Sequence, residues 1–358
     1  MQSELQSGPI MAGDIALSTL AIDADQPPLR LVTLQNDRGT RVTLCDLGAS
    51  LVSVHTADRY GHSDNILLTY GDPGHWLDNS WYLGVTAGRV ANRIGGARFQ
   101  LDGCDFSLPA NDGANHLHGG PEGLGGKRWQ LVESGSGRGG QSVTFRCESA
   151  DGEGGYPGKL QLELSYRLSE EDELVLEYRA QTDRATPLNP TNHAYWNLAG
   201  RDGILDHELE IHAGKILGVD KQLIPTGALV DVAGTPADFR KRKAIGRDIG
   251  DWLGGYDNYW VVDERGDKGL KPIATLVHPP SGRRLEVVSS EAGVQFYSGN
   301  FLDGSRNRDS GAPMGRHAGL CLETHGFPDA PNHGHFPSVI LQPGEEYRQT
   351  TIYRFSTE

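Results

Sequence analysis

The sequence predicts an all-β protein, organised as a large antiparallel sandwich, and three observations lead to that fold class. Glycine accounts for 48 of the 358 residues, about twice the usual share, which is typical of many turns between short strands. Apolar and polar residues alternate over 160–180, the two-residue period of a strand with one buried face. Helical periodicity is confined to one short segment, 236–249, so alternating β and α units are disfavoured.

The first hairpin is predicted over 160–180. Leu160, Leu162 and Leu164 alternate with polar residues, and Leu174 and Leu176 resume the pattern after a polar turn over 169–173. This pattern indicates two antiparallel strands with one solvated face. Two further hairpins are predicted by the same reasoning, over 273–290 with a turn at 279–282 and over 338–356 with a turn at 343–344.

The domain organisation follows from what the chain lacks. It has no internal repeat, no low-complexity tract and no Pro/Ser-rich linker, so one domain is predicted over residues 29–358. Residues 1–28 are weakly patterned and are predicted to be a loosely ordered N-terminal extension.

Charge and cysteine content restrict the partners and the compartment. A formal net charge of -14 disfavours nucleic acid and anionic lipid, so a neutral small molecule is the expected partner. The first twenty residues do not resemble a secretory signal, and no apolar run has the length of a membrane span. The four cysteines form no CxxC pair, which argues against a zinc site or a disulfide framework. We therefore expect a cytoplasmic protein, monomeric or homodimeric, that binds neither membrane nor nucleic acid.

Three segments in the first half of the chain place polar and aromatic residues among glycines. GRVANRIGGARF (88–99) contains Asn92 and Arg93, NHLHGG (115–120) contains His118, and PTNHAYWNLAG (190–200) contains His193. Small residues leave room for a ligand beside these side chains. Taken singly, histidines such as His118 and His193 more often have a structural role than a functional one.

Three segments in the second half have the same character. Asp257 lies in GGYDNYWVV (254–262), Gln295 in VQFYSGNFLDG (294–304) and Glu323 in LETHGFPDAPNH (322–333). Asp257 is also explained as a turn cap and Gln295 as a solvated strand residue. Glu323 follows an apolar run in which an unpaired carboxylate is costly, so it is either functional or part of a structural ion pair with an arginine.

Together these motifs resemble the galactose mutarotase family, the aldose 1-epimerases. The similarity runs in order from about Gly84 to the C-terminal PGEEYRQTTIYRF and includes GGYPG (154–158) and LIPTG (223–227). The resemblance implies a single-domain antiparallel β-supersandwich with an open sugar cleft and with no metal and no cofactor. By motif position, the resemblance implies that Glu323 is the general base and that His193 is the general acid. It also implies sugar-binding residues, which are Arg93, His118 and Asp257, with Asn92 and Gln295 as further contacts.

The chain departs from the family pattern at two places. His325 stands after Thr324 where the family commonly has glutamine, which leaves substrate detail open, and Trp196 stands where phenylalanine is more usual. His325, His333 and His335 lie in a loop that contains Pro and Gly, and we do not predict a metal site there.

Mutarotation explains why this chemistry needs an acid and a base. The C1 hydroxyl loses a proton while the ring oxygen gains one, so the C1–O5 bond opens to the free aldehyde. A carboxylate and an imidazolium, with unperturbed pKa values near 4.3 and 6.5, are suited to these two transfers. We hypothesise that Glu323 takes the C1 proton and that His193 donates to the ring oxygen.

Two other functions fit parts of the pattern. A phosphohexose 1-epimerase would share the fold and the reaction, but it requires convergent basic side chains for the phosphate. A non-catalytic sugar-binding protein would share the fold alone, and it has no need for a matched acid and base.

Overall fold

The computed structural model describes residues 15–22, 26–267 and 269–358. Within these residues the chain forms 28 strands and seven short 3-10 helices, with no α-helix. In chain order the strands are β1 (Ala16–Leu20), β2 (Leu29–Gln35), β3 (Arg41–Cys45), β4 (Ser50–Ala57), β5 (Ser63–Asn65), β6 (Thr86–Ala87), β7 (Arg93–Ile94), β8 (Arg98–Leu101), β9 (Cys104–Ser107), β10 (His116–Leu117), β11 (Gln130–Gly137), β12 (Gly140–Ser149), β13 (Leu160–Leu168), β14 (Glu173–Thr182), β15 (Thr186–Pro187), β16 (Thr191–Asn192), β17 (Tyr195–Trp196), β18 (Glu208–Ile211), β19 (Lys215–Val219), β20 (Pro225–Asp231), β21 (Lys243–Ala244), β22 (Asp257–Val261), β23 (Lys271–His278), β24 (Arg283–Ser289), β25 (Gly293–Tyr297), β26 (Leu320–His325), β27 (Ile340–Leu341) and β28 (Tyr347–Thr357). The 3-10 helices are Pro73–Trp76, Gly95–Ala97, Leu124–Gly126, Glu153–Gly155, Ile245–Arg247, Ile249–Asp251 and Ala330–Asn332.

Three large antiparallel sheets form the framework. A five-stranded sheet has the order β1-β2-β3-β4-β5, and a nine-stranded sheet has the order β11-β12-β13-β14-β28-β24-β23-β18-β21. A six-stranded sheet has the order β17-β26-β25-β22-β19-β20. Four further sheets have two strands each, namely β7 with β10, β6 with β16, β8 with β9 and β15 with β27. The predicted antiparallel all-β fold is confirmed.

One apolar cluster joins the inner faces of all three large sheets. It includes Val32 from β2, Leu162 from β13, and Trp260 and Phe296 from β22 and β25, each fully buried. Burying a side chain of this size stabilises a fold by roughly 1.5–3 kcal/mol relative to leaving it exposed. The alternation over 160–180 is the local signature of this packing, because the leucines of β13 face the cluster and the residues between them face outward.

The six-stranded sheet presents a different second face. Successive strand residues point to opposite sides, so the neighbours of Trp260, Phe296 and Leu322 in the sequence turn away from the apolar cluster. In the ladders, Gln295 is directly opposite both Tyr259 and Glu323. This outer face therefore carries polar residues in adjacent rows, which is where the candidate site lies.

Two of the three predicted hairpins are confirmed. β13 pairs with β14 and β23 pairs with β24, each across a short turn. The third, over 338–356, is wrong. β28 lies between β14 and β24 and pairs with both, so neither of its edges is free, and β27 pairs with β15 instead.

Two other expectations also differ from the structure. The segment 236–249 contains the short strand β21 and 3-10 turns rather than a helix. The predicted boundary at residue 29 separates β1 from its sheet, because Ala16–Leu20 pairs antiparallel with β2 and its alternating side chains extend that sheet by one edge strand. The rest of the predicted loose extension, residues 1–14 and 23–25, lies outside the described residues.

Candidate active site

All seven predicted site residues line one cavity on the outer face of the six-stranded sheet. The cavity has a volume of about 150 Å³. Its walls include Asn92, Arg93, His118, His193, Asp257, Gln295 and Glu323. These residues come from segments more than 200 positions apart in the chain, so the fold brings them together.

Glu323 and His193 form the centre of the cavity. Glu323 Oε1 lies 3.6 Å from His193 Nε2, and the two side chains are 3% and 6% exposed. Glu323 Oε2 has no hydrogen-bond partner within the described part of the chain. A buried carboxylate oxygen without a partner costs free energy, so this atom is poised to bind a donor that enters the cavity.

Burial changes the protonation of both groups from the values expected of free side chains. It raises the pKa of Glu323 well above the ordinary value, and the neighbouring charge of Asp257 acts in the same direction. Burial lowers the pKa of His193 to about 4. Burial of the two groups therefore favours a neutral carboxylic acid and a neutral imidazole, because desolvation disfavours each charged form. The carboxylate and imidazolium forms expected from the unperturbed pKa values stay a prediction for this pair.

His193 is held in place by the strand ladder before it and by a thiol. β16 pairs with β6, and the backbone N–H of His193 donates to the carbonyl of Val85 at 2.9 Å. On the other side of the ring, Nδ1 lies 3.6 Å from Sγ of Cys321, which is fully buried. Cys321 and Glu323 are two residues apart along β26, which places the thiol and the carboxyl group on the same face of the sheet.

A tight loop fixes His118. β7 pairs with β10, and the His118 N–H donates to the carbonyl of Asn92 at 3.0 Å while the Asn92 N–H donates back to His118 Nδ1 at 3.1 Å. The following Gly119 has φ +88°, and a Cβ there would lie 1.7 Å from the carbonyl oxygen of Gly88. The glycine of the NHLHGG motif is thus required by a close approach of two backbone segments.

The loop also determines what His118 offers to a ligand. Because Nδ1 accepts a hydrogen bond from the Asn92 N–H, the neutral ring carries its own proton on Nε2. Burial lowers the pKa of His118 well below the ordinary value, so the ring stays neutral. His118 therefore presents one N–H donor, which is suited to a sugar hydroxyl.

This tautomer bears on whether the cavity fits a metal ion. His118, His193 and Glu323 lie close enough to share one ion. Ligation through Nε2 of His118 would move its proton to Nδ1, where it would meet the Asn92 N–H. The ring does not fit a metal ligand in this geometry.

The remaining polar residues are held in pairs. Arg93 Nε donates to Asp112 Oδ2 at 2.7 Å, and Gln295 Nε2 donates to Asp257 Oδ1 at 2.6 Å. Burial raises the pKa of Asp257. Each pair leaves part of its hydrogen-bonding capacity free: the guanidinium has further N–H groups, and the second carboxylate oxygen and the Gln295 carbonyl are acceptors.

Aromatic residues that the motifs did not identify complete the cavity wall. Trp81, Tyr82, Tyr297 and Phe301 line it together with Tyr195. The Tyr82 ring lies 4.7 Å from His118 and 5.8 Å from His193. The segment around Tyr82 has no sequence signal for a site, because its place depends only on the turn that brings it against two histidines.

Two aromatic residues of the sequence motifs, Trp196 and Tyr259, do not line the cavity. Trp196 is fully buried and packs on Tyr353 and Phe355 in the main core. Tyr259 donates from its hydroxyl to the carbonyl of His325 at 2.6 Å. His325 is fully buried one row beyond Glu323, and it does not line the cavity.

A larger cavity of about 770 Å³ lies beside β21. It is lined by basic residues whose nearest partners are also in its wall: Arg240 pairs with Asp238, and Lys243 pairs with Asp248. It has no buried acid beside a histidine, so the smaller cavity is the better candidate for catalysis.

Comparisons with known proteins identify the family that this chain is similar to. The family model described as aldose 1-epimerase matches residues 30–354. Galactose mutarotase of Bos taurus is 41% identical over 349 residues, which cover 96% of this chain and 97% of the relative. Aldose 1-epimerase of Escherichia coli is 38% identical over 348 residues, covering 95% and 99% of the two chains.

Two solved structures show the same fold. An aldose epimerase homologue from C. elegans superposes with a TM-score of 0.85 at 31% identity and covers 92% of this chain and 99% of that one. Galactose 1-epimerase from Lactobacillus acidophilus superposes with a TM-score of 0.84 at 28% identity and covers 97% and 99%.

Proposed function

This chain belongs to the aldose 1-epimerase family, and we propose that Glu323 and His193 carry out the proton transfers of its mutarotase reaction. The reaction interconverts the α and β anomers of a free aldohexose such as galactose or glucose. The observation that carries the assignment is the buried carboxyl–imidazole pair, with Oε1 and Nε2 3.6 Å apart in a cavity lined by hydrogen-bonding groups.

The proton transfers balance around one cycle. The Glu323 carboxylate takes the proton of the C1 hydroxyl while the His193 imidazolium gives a proton to O5, so the C1–O5 bond breaks and an aldehyde forms. Rotation about C1–C2 presents the other face of the aldehyde. Ring closure then reverses both transfers and returns the two side chains to their starting forms.

The sugar itself favours the charged forms of the pair. A neutral acid with a neutral imidazole holds the same number of protons as a carboxylate with an imidazolium. A C1 hydroxyl that donates to Glu323 lowers its pKa, and a ring oxygen that accepts from His193 raises the pKa of the imidazole. Substrate binding therefore favours the carboxylate–imidazolium form of the pair, whose Nε2 and Oε1 atoms lie 3.6 Å apart.

The other residues hold the distal hydroxyls while C1 is free to rotate. Arg93 and His118 donate, Asp257 and Gln295 accept, and Asn92 does both. Fixing the polyol at one end keeps the open-chain intermediate in register with the acid and the base. These roles follow the motif positions and the inward placement of all five side chains.

A free sugar fits the cavity better than a phosphorylated one. Arg93 is the single arginine or lysine that lines it among the described residues, and its Nε is already bound to Asp112. Phosphate recognition uses several convergent cationic donors, and the cavity instead contains two carboxyl groups, Asp257 and Glu323.

Polarimetry tests the activity and the base together. Freshly dissolved α-D-galactose and α-D-glucose should change rotation faster with the wild-type protein than in buffer, and Glu323→Gln should return the rate to that of buffer. Glucose 6-phosphate in the same assay tests the alternative function. Acceleration with this sugar but not with the free sugars would indicate a phosphohexose 1-epimerase. Tight sugar binding by folded wild-type protein without any acceleration would overturn the assignment in favour of a sugar-binding protein.

We further propose a cytoplasmic location, a monomeric or homodimeric state and a single domain. All four cysteines are free thiols, which suits a reducing compartment. One apolar cluster joins the three large sheets. Within the described residues there is no helix of the length and apolarity needed to cross a membrane. Light scattering on the purified protein tests the oligomeric state.

A further inference from the structure

Two histidines meet across the ladder between β18 and β23, near the β21 edge of the nine-stranded sheet. β18 pairs with β23 so that Glu208 is opposite Val277, which places His207 and His278 opposite each other one position beyond. Their rings stack with centroids 4.7 Å apart and an interplanar angle of 28°. His207 is fully buried and His278 nearly so.

Asp206 completes the cluster from the solvent side. Its Oδ1 lies 3.2 Å from His207 Nδ1 and its Oδ2 lies 3.5 Å from His278 Nε2. Two ligands bound to one zinc ion at about 2.0–2.1 Å in tetrahedral geometry are about 3.3–3.5 Å apart. One ligand atom from each of the three residues lies within 4.8 Å of the others, so closure of the site around an ion needs only a modest movement of the exposed Asp206 side chain.

A hydroxyl behind His278 orients its ring for ligation. Nδ1 lies 2.8 Å from Ser281 Oγ. This contact holds the ring with Nε2 toward Asp206. Such a partner behind a histidine is typical of metal ligands, because it fixes both tautomer and orientation.

The carboxylate of Asp206 is the negative charge that both rings face, with Oδ2 3.5 Å from His278 Nε2. The adjacent cation, Arg283, is bound to Asp64 at 2.7 Å.

His207 is free to change tautomer, unlike the histidine of the active-site loop. Its Nδ1–H donates to Asp206 Oδ1. Nε2 has no hydrogen-bond partner among the described residues, so no N–H group blocks transfer of the ring proton to that atom. Nδ1 is then available as a ligand.

From this geometry we propose that Asp206, His207 and His278 form a binding site for a divalent transition-metal ion of the zinc class. Neutral imidazole and carboxylate are ligands that suit Zn²⁺. The exposed side of Asp206 leaves the remaining coordination position to water. The site is separate from the mutarotase cavity and does not depend on that activity.

Isothermal titration with ZnCl₂ on tag-free protein tests the site. We expect one Zn²⁺ per chain and a rise in thermal unfolding temperature with added zinc. Asp206→Asn and His278→Gln should each weaken the affinity by at least about tenfold, since changes even to residues behind a ligand commonly cost 10–100-fold. Unchanged mutarotation rates in Asp206→Asn show that this variant is folded.

Two controls locate the ion. His212→Asn removes a half-exposed histidine beside Glu210 on the same sheet and should leave zinc binding unchanged. Glu323→Gln should also leave it unchanged. Absence of zinc binding in the wild type, binding that survives both Asp206→Asn and His278→Gln, or binding lost in Glu323→Gln alone would each overturn the proposal.

Discussion

Two clusters of this protein combine two histidines with one carboxylate, yet their surroundings differ. In the cavity, the His118 and His193 rings are 5.0 Å apart beside Glu323, whose side chain is 3% exposed. Beside β23, His207 and His278 are 4.7 Å apart next to Asp206, whose side chain is 63% exposed. Burial raises the pKa of Glu323, whereas the hydrogen bond from His207 lowers that of Asp206 to about 2.

From this difference we infer that exposure of the carboxylate decides what such a cluster does. A buried carboxyl group holds a proton that it can exchange with a bound hydroxyl, and it serves in acid–base chemistry. An exposed carboxylate keeps its charge and attracts a cation. The neighbouring histidines follow this division, because His118 is fixed as a donor by Asn92 while His207 can present Nδ1 to an ion.

The largest expected effect separates the two carboxylates. Changing Glu323→Gln should lower kcat by about 10³-fold or more, within the range contributed by a positioned acid or base, whereas Asp206→Asn should leave kcat within about twofold of the wild type. Polarimetry on both variants, with circular dichroism to verify folding, makes the comparison. Equal losses would show that the clusters do not differ in function.

The histidine of the cavity is expected to give the next largest effect. His193→Asn should lower kcat by about 10²-fold and leave KM nearly unchanged, because the ring donates its proton in the transition state. His278→Gln is the matched change in the other cluster and should alter neither constant. A His193→Asn variant with altered KM and normal kcat would assign this ring to binding instead.

A smaller effect is expected when binding rather than proton transfer is changed. Asp257→Asn should raise KM by about tenfold, equivalent to about 1.4 kcal/mol, and change kcat by only a few fold, because the carboxylate holds distal hydroxyls in ground and transition states alike. Steady-state polarimetry over a range of galactose concentrations measures both constants. A loss confined to kcat would exchange the roles of Asp257 and His193.

The smallest expected change in rate is in the pH dependence, and it sharpens the comparison. The pair works when it holds one proton, and it gains a second as pH falls through the pKa of His193, about 4. The acid limb of kcat/KM should therefore lie well below 6.5, the value of a free imidazole, and the alkaline limb should follow the raised pKa of Glu323. Activity that falls between pH 7 and pH 6 would contradict this assignment.

Particular residues show how much of the structure could be predicted from the sequence. The alternation of Leu160, Leu162 and Leu164 was sufficient to predict β13 and its partner strand, because the side-chain period of a strand is a local property. The motifs around Arg93, His118, His193, Asp257 and Glu323 were sufficient to name the residues that meet in one cavity. The position of β28 between β14 and β24 was not predicted, because strand pairing depends on segments that are far apart in the chain.

By itself, therefore, the sequence determined the all-β class, the two local hairpins and the residue types of the cavity. Each of these depends on neighbouring residues or on a short motif. Only the tertiary structure decided the contact of Cys321 with His193, the tautomer of His118 and the meeting of His207 with His278. The physical reason is that burial and cross-strand register join residues far apart in the chain, and these in turn set hydrogen bonds, pKa values and the face on which each side chain lies.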